Sequence, residues 1–261
     1  MLCPYGVQMY NVMLALLLGF IVGLIAAFFG IGGGVLFVPI LIIIFNLPPT
    51  IAVGTSLLAI FITSTSSTIA YARQKKIYYK LGLILEMASV PGAVIGAYIT
   101  TIIPGEYLKK VFSIFLVFVA INIMHRGEKR SKVENTSDKH LAYPGRKLWM
   151  ALLFSFLAGL LSATLGIGGG VLKTPIMILI LELPIHNAIA TSCFMITITS
   201  LTGLSQHIMY GHVIVTYGLS LGLGAIGGAQ AGAILSKHTK PRTLQKLFAV
   251  LLIVVAVKLF L

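Results

Sequence analysis

The chain contains itself twice, in register. Gly30-Ile31-Gly32-Gly33-Gly34-Val35-Leu36 recurs as Gly166-Ile167-Gly168-Gly169-Gly170-Val171-Leu172, and the same offset matches Pro39 to Pro175, Leu47-Pro48 to Leu183-Pro184 and Thr55-Ser56 to Thr191-Ser192. It also matches Thr63-Ser64 to Thr199-Ser200, and Gly92 and Gly96 to Gly228 and Gly232. A hydrophobic unit that is duplicated, and broken by glycine at the same place in each copy, is the pattern of a secondary transporter with its site at the breaks.

The solvent of this chain is lipid. Hydrophobic residues make up 58% of it and charged residues 10%, whereas soluble domains carry about 25% charged residues. The net charge of +13 could suggest nucleic acid, but the basic residues lie in short connections between apolar runs, where they orient a membrane protein. Cys3 is terminal, Cys193 lies inside an apolar run, and no metal or disulfide spacing is present. The N-terminus lacks a basic segment and a small-residue cleavage site, so it reads as a first helix rather than a removable signal.

Apolar runs at 11–29, 51–72, 81–102 and 108–124 reach spanning length, since a crossing needs about 20 residues. Their partners are 148–165, 187–208, 215–235 and 245–261. Each glycine cluster is followed by a shorter piece, 35–45 or 171–182, that ends at Leu-Pro and pairs with the preceding run as a broken hairpin. The expected fold is an all-α polytopic membrane protein with two homologous repeats, 1–125 and 148–261, each a glycine-broken helical hairpin plus three transmembrane helices. The hydrophilic stretch 126–147 is the cytoplasmic basic linker.

Charge orients the repeats. Arg73, Lys75, Lys76 and Lys80 mark one loop as cytoplasmic, and the linker marks another. The second-half counterpart of the first loop, around Tyr210-Gly211-His212, has no Lys or Arg, whereas the next loop carries Lys237, Lys240, Arg242 and Lys246. The asymmetry changes sides, which favours repeats inverted about an axis in the membrane plane. Whether the hairpins cross fully or are re-entrant stays open.

Three consecutive glycines do not serve helix stability, since each costs about 1 kcal/mol against alanine. They offer a tight turn, close backbone approach and free amides at the start of a short helix. Gly32, Gly33 and Gly34, with Gly168, Gly169 and Gly170, therefore suit an anionic head group at the positive end of a helix dipole. Hairpin turns with tight packing are the bland alternative.

The paired GIGGGV segments, each followed by proline, Leu-Pro and an Ala-x-x-Thr-Ser helix, resemble the sulfite exporter TauE/SafE family, also called the TSUP family. The resemblance covers nearly the whole chain. It implies a multi-pass carrier in the cell membrane for small sulfur-containing anions of the sulfite, sulfonate or sulfoacetate type.

Several polar residues inside apolar runs are candidates for the site. Lys173 stands where the first repeat has Phe37; a lysine at membrane depth either meets the substrate or snorkels to an interface. Thr55, Ser56, Thr191 and Ser192 offer hydroxyls to substrate oxygens or glue helices together. Gln230 faces either the cavity or a neighbouring helix. Glu86 is expected to pair with the adjacent basic loop, with proton coupling as the alternative, and His207 and His212 are read as interface residues rather than a proton relay. The spacing Gly92-x3-Gly96 and Gly228-x3-Gly232 points to close helix packing. The hydroxyl run Thr63 to Thr68 lines a pore or satisfies nearby backbone.

A secondary anion carrier explains duplication, paired breaks and Lys173 together. An anion channel of the same architecture and a non-transport intramembrane protein are the competing classes. No nucleotide-binding loop or His-Glu-x-x-His motif is present, so no enzyme activity, cofactor, metal or nucleic acid is expected. The expected partners are the bilayer and a small anionic substrate, with a coupling ion, H+ or Na+, and a homodimer left open.

Overall fold

A backbone in hydrocarbon must satisfy its own N–H and C=O groups, and in this composition only helices do so. The computed structural model describes residues 9–99, 117, 120, 121, 145–166 and 168–260, and the regular structure among them is helical throughout. The helices are α1 (Met9–Phe29), α2 (Gly34–Ile43), α3 (Pro49–Arg73), α4 (Tyr79–Ile99), α5 (Gly145–Leu165), α6 (Gly170–Leu179), α7 (Ile185–Met209), α8 (Val215–His238) and α9 (Pro241–Phe260). Six of them, α1, α3, α4, α5, α7 and α8, are long and apolar enough to cross a membrane. The apolar run 108–124, apart from three isolated residues, and the linker up to residue 144 lie outside the described residues. The linker's last residues, Arg146 and Lys147, belong instead to the first turn of α5.

The short helices α2 and α6 have 10 residues each and reach only about 15 Å. Both end alike. Asn46 and Glu182 take left-handed φ of 52° and 61°, and the amides of Leu47 and Leu183 return to the carbonyls of Leu41 and Met177 at 3.0 Å. The proline after each of these leucines then caps the next helix, α3 or α7.

Long helices exchange partners between the halves: α1 packs along α8, and α5 along α4. Small residues permit it. A Cβ at Gly228 would lie 1.9 Å from the Phe20 carbonyl oxygen, and one at Gly92 would lie 2.2 Å from that of Phe156. The GxxxG spacing therefore marks backbone against backbone, as the sequence suggests.

Helices α3 and α7 pack together at the centre and run antiparallel. The loop after α3 bonds to the start of α7: Asn187 Nδ2 donates to the Lys76 carbonyl at 3.1 Å and the Tyr78 amide to Thr191 Oγ1 at 3.0 Å. The loop after α7 meets the start of α3 in the same manner, the Ile214 amide donating to Thr55 Oγ1 at 3.0 Å. Lys76 and His212 thus stand at opposite ends of this pair.

Candidate functional site

Each glycine break turns the chain into a buried helix N-terminus. Gly33 and Gly169, the N-cap residues of α2 and α6, take left-handed φ of 87° and 71°, a conformation that costs other residues about 1–2 kcal/mol. Their carbonyls receive the first helical bonds, from Leu36 and Phe37 in one copy and from Leu172 and Lys173 in the other. Amides before those bonds have no partner within the helix and carry the positive end of its dipole.

The two breaks lie against each other. A Cβ at Gly170 would lie 2.7 Å from the Gly30 carbonyl oxygen. Ile60 of α3 and Ile196 of α7 reach both clusters: their methyl groups stand 3.4 Å and 2.8 Å from the Cβ position of Gly32, and 3.1 Å and 3.4 Å from that of Gly168. Gly32, Gly33, Gly34, Gly168, Gly169 and Gly170 are all buried.

Hydroxyls of the following helices tie each break to the opposite copy. Ser192 Oγ donates to the Gly30 carbonyl at 2.8 Å and Ser56 Oγ to the Gly166 carbonyl at 3.2 Å. Thr55 and Thr191 accept backbone amides. All four hydroxyls bond to backbone and so join helices, Ser56 and Ser192 as donors and Thr55 and Thr191 as acceptors. Gln230 donates from Nε2 to Ser66 O at 2.8 Å and Ser66 Oγ at 3.0 Å, so it too joins helices. The run Thr63 to Thr68 bonds chiefly to nearby carbonyls.

Lys173 behaves differently. Its stem passes beside the second break, Cε lying 3.4 Å from the Cβ position of Gly169, because helical side chains lean toward the N-terminus. The residue is 1% exposed, so it does not snorkel to an interface. Its ammonium donates to Glu86 Oε1 and Thr199 Oγ1, and the Thr199 hydroxyl donates to Glu86 Oε2 at 2.7 Å. Glu86 is therefore not the partner of the basic loop after α3. Position decides this: Glu86 lies seven residues into α4, where its face of the helix turns inward to α6 and α7. His207 is also buried, in the last turn of α7, its ring 5.7 Å from that of His212 in the loop that follows.

Ser162 was not singled out by the sequence. It lies beside Gly169, its Cβ 3.2 Å from the position a Gly169 Cβ would take; its hydroxyl is buried and makes no hydrogen bond among the described residues. The signal was available in the comparison of the two copies, because Ser162 aligns with Ala26 and Glu86 with Gly222. Polarity present in one copy and absent from the other marks Ser162, Glu86 and Lys173 together.

The arrangement is one buried ammonium, one carboxylate, free hydroxyl capacity and two helix N-termini, a set that can hold and exchange a small anion. No group of residues that could hold a metal ion occurs among the described residues. The profile of the family described as "Sulfite exporter TauE/SafE" matches residues 15–259. Among curated relatives, "Probable membrane transporter protein YunE" of Bacillus subtilis (strain 168) is 32% identical, covering 93% of this chain and 94% of its own. "Probable membrane transporter protein MJ0441" of Methanocaldococcus jannaschii is 31% identical over 89% of each. No solved structure gives a significant match. With a matching profile across nearly its whole length and six helices of spanning character, the chain belongs to the sulfite exporter TauE/SafE family and is a multi-pass membrane transporter protein.

Proposed function

We propose that this protein is a secondary transporter of the cell membrane for a small sulfur-containing anion, of the sulfite, sulfonate or sulfoacetate type, bound where the two glycine breaks meet. The observation that carries the reading is the ammonium of Lys173, fully buried beside a helix N-terminus. Charge and dipole act there on one ligand, in a setting that screens neither. The sulfur chemistry rests on the family; the anion rests on the site. Gly32 to Gly34 and Gly168 to Gly170 supply backbone amides, Lys173 the charge, and the Thr55, Ser56, Thr191, Ser192 and Gln230 side chains hold the helices around them. Burial of both breaks favours a carrier that opens alternately over a channel.

Inverted repeats fit this mechanism, and the antiparallel α3 and α7 and the exchanged packing of α1 and α5 support them. Cysteines introduced as Lys76→Cys and His212→Cys test the arrangement: an impermeant thiol reagent on intact cells is expected to label the second alone. Labelling of both or of neither overturns inversion. For function, purified protein in liposomes is expected to carry at least one anion from a panel of sulfite, methanesulfonate and sulfoacetate with saturable kinetics, and to melt at higher temperature in its presence. Neither flux nor a melting shift across the panel overturns the reading.

A further inference from the structure

Lys173 already holds an anion. Glu86 of α4, Lys173 of α6 and Thr199 of α7 are 3%, 1% and 1% exposed, and they close on a single ion pair. Glu86 meets no other charged group among the described residues. On α5, packed along α4, the cations Arg146 and Lys147 sit in the first turn, Lys147 bonded to Glu182 at 2.9 Å. On α7 the titratable His186, Cys193 and His207 make no hydrogen bond to Glu86, nor do Tyr79, Lys80 and Tyr98 of α4 itself.

The fold does not require this pair. The equivalent positions of the other copy are Phe37, fully buried, and Gly222, and the same helices pack there. Buried ion pairs in general add little over apolar side chains of similar volume. The pair therefore calls for a reason outside stability.

We propose that Glu86 is an internal stand-in for the transported anion: substrate displaces it from Lys173, and the freed carboxylate takes up a proton, so that each anion bound brings one proton with it. This rests on the anion-site reading above. Two anions cannot share one ammonium at membrane depth, and a carboxylate left there without its cation costs too much to remain charged. The proton comes from the water on whichever side the site is open and adds to a carboxylate oxygen of Glu86. The N–H donors of Lys173 pass from that carboxylate to the substrate oxygen. Thr199 is not orphaned by the exchange, because its hydroxyl also reaches the Met195 carbonyl at 3.1 Å.

Charge counting then sets the substrate class. Without substrate, the ammonium and carboxylate cancel. With a singly charged anion bound, ammonium and anion cancel and Glu86 is a neutral acid. Both forms cross without moving net charge, whereas a doubly charged anion leaves one negative charge uncompensated in the site. Within the substrate types proposed above, the site therefore selects singly charged anions, a monosulfonate or hydrogensulfite over sulfate and over the doubly charged sulfoacetate, and flux follows the pH gradient rather than the membrane voltage.

The test uses the purified wild-type protein and methanesulfonate as the probe. Calorimetric titration at neutral pH in Tris and in imidazole, which differ in ionisation heat, is expected to show uptake of about one proton per anion bound. Sulfate is expected to bind at least tenfold more weakly. Glu86→Gln, a permanent mimic of the neutral acid, is expected to bind methanesulfonate with no proton uptake. In liposomes holding a trapped pH dye, wild-type methanesulfonate flux is expected to move protons in the same direction. Methanesulfonate bound or carried without protons overturns the coupling and leaves the anion site standing, as does sulfate binding equal to that of methanesulfonate. Failure to bind or carry any anion of the panel overturns both. The wild-type titration decides the matter even if the Gln variant does not fold.

Discussion

The two glycine breaks share one backbone and differ in what surrounds it. Their N-caps, φ angles, cross-copy serine bonds and the helix ends that follow repeat pair by pair. Around the first break stand Ala26 and Phe37, and the register positions on α8 are Gly222 and Ala225; around the second stand Ser162 and Lys173, with Glu86 and Ser89 on α4. Ser89 Oγ lies 3.5 Å from Thr199 Oγ1, next to the ion pair. The scaffold is symmetric and the chemistry is not. Duplication builds the breaks, and divergence places the charge at one of them, so a change at the first should register in folding alone and a change at the second in binding as well.

The largest effect that can break this comparison comes from the ion pair. Lys173→Met strips Glu86 of the one cation it meets among the described residues and is expected to lower stability by about 3–5 kcal/mol, the usual cost of breaking a buried pair. Adding Glu86→Gln should recover most of that loss. Anion binding should stay lost in the double variant, by about thirtyfold or more, since a charge-assisted contact contributes about 2–3 kcal/mol. Denaturant unfolding in detergent measures the first quantity and calorimetry the second. A double variant that regains wild-type affinity would show that backbone amides alone hold the substrate and that the asymmetry is incidental.

What the sequence revealed follows the same division. Hydrophobic runs, apart from 108–124, most of which lies outside the described residues, and glycine breaks, Leu-Pro ends and GxxxG stripes are local or periodic signals that lead directly to their elements, because a membrane leaves the backbone few alternatives. Lys173 was visible for the same reason: charge within an apolar run stands out against Phe37. Its partner was not. Glu86 lies near the basic loop in sequence, and only the packing of α4 against α7 brings it to Lys173 and Thr199. Thr55, Ser56, Thr191 and Ser192 carry two roles in the sequence, and the bonds to Ile214, Gly166, Tyr78 and Gly30 that give them the helix-joining one cross between the copies and leave no local signal. Ser162 is silent as a lone serine in an apolar helix and becomes informative only beside Ala26.

A smaller effect sharpens the comparison at the glycines themselves. Gly33→Ala and Gly169→Ala both force a left-handed N-cap on a residue with a Cβ, at about 1–2 kcal/mol each. In the first copy the new methyl would also lie 2.8 Å from the Phe37 ring, whereas in the second its nearest neighbour is Ser162 Cβ at 3.2 Å. Gly33→Ala is therefore expected to lower the melting temperature more. Gly169→Ala should lower anion affinity more, because its methyl stands beside the Lys173 stem. Melting curves and binding isotherms on the two purified variants check this, and equal losses in both measurements would remove the distinction between the breaks.

The smallest effect is the most discriminating. Ser162 buries a hydroxyl with no partner among the described residues, and a buried polar group left unsatisfied costs about 1–3 kcal/mol. Ala26 occupies the same place in the first copy without that cost. If Ser162 were a packing residue, Ser162→Ala would change little. If its hydroxyl is held for the substrate, the variant should melt at a higher temperature without ligand and bind the anion about five- to tenfold more weakly, the loss of one hydrogen bond contributing about 1–1.4 kcal/mol. Ala26→Ser should destabilise the first copy by a similar amount and leave affinity unchanged, there being no Lys173 equivalent for it to assist. Opposite signs in stability and affinity at Ser162, with no affinity change at Ala26, are what a binding hydroxyl requires; a Ser162→Ala variant unchanged in both would return the residue to the packing of α5.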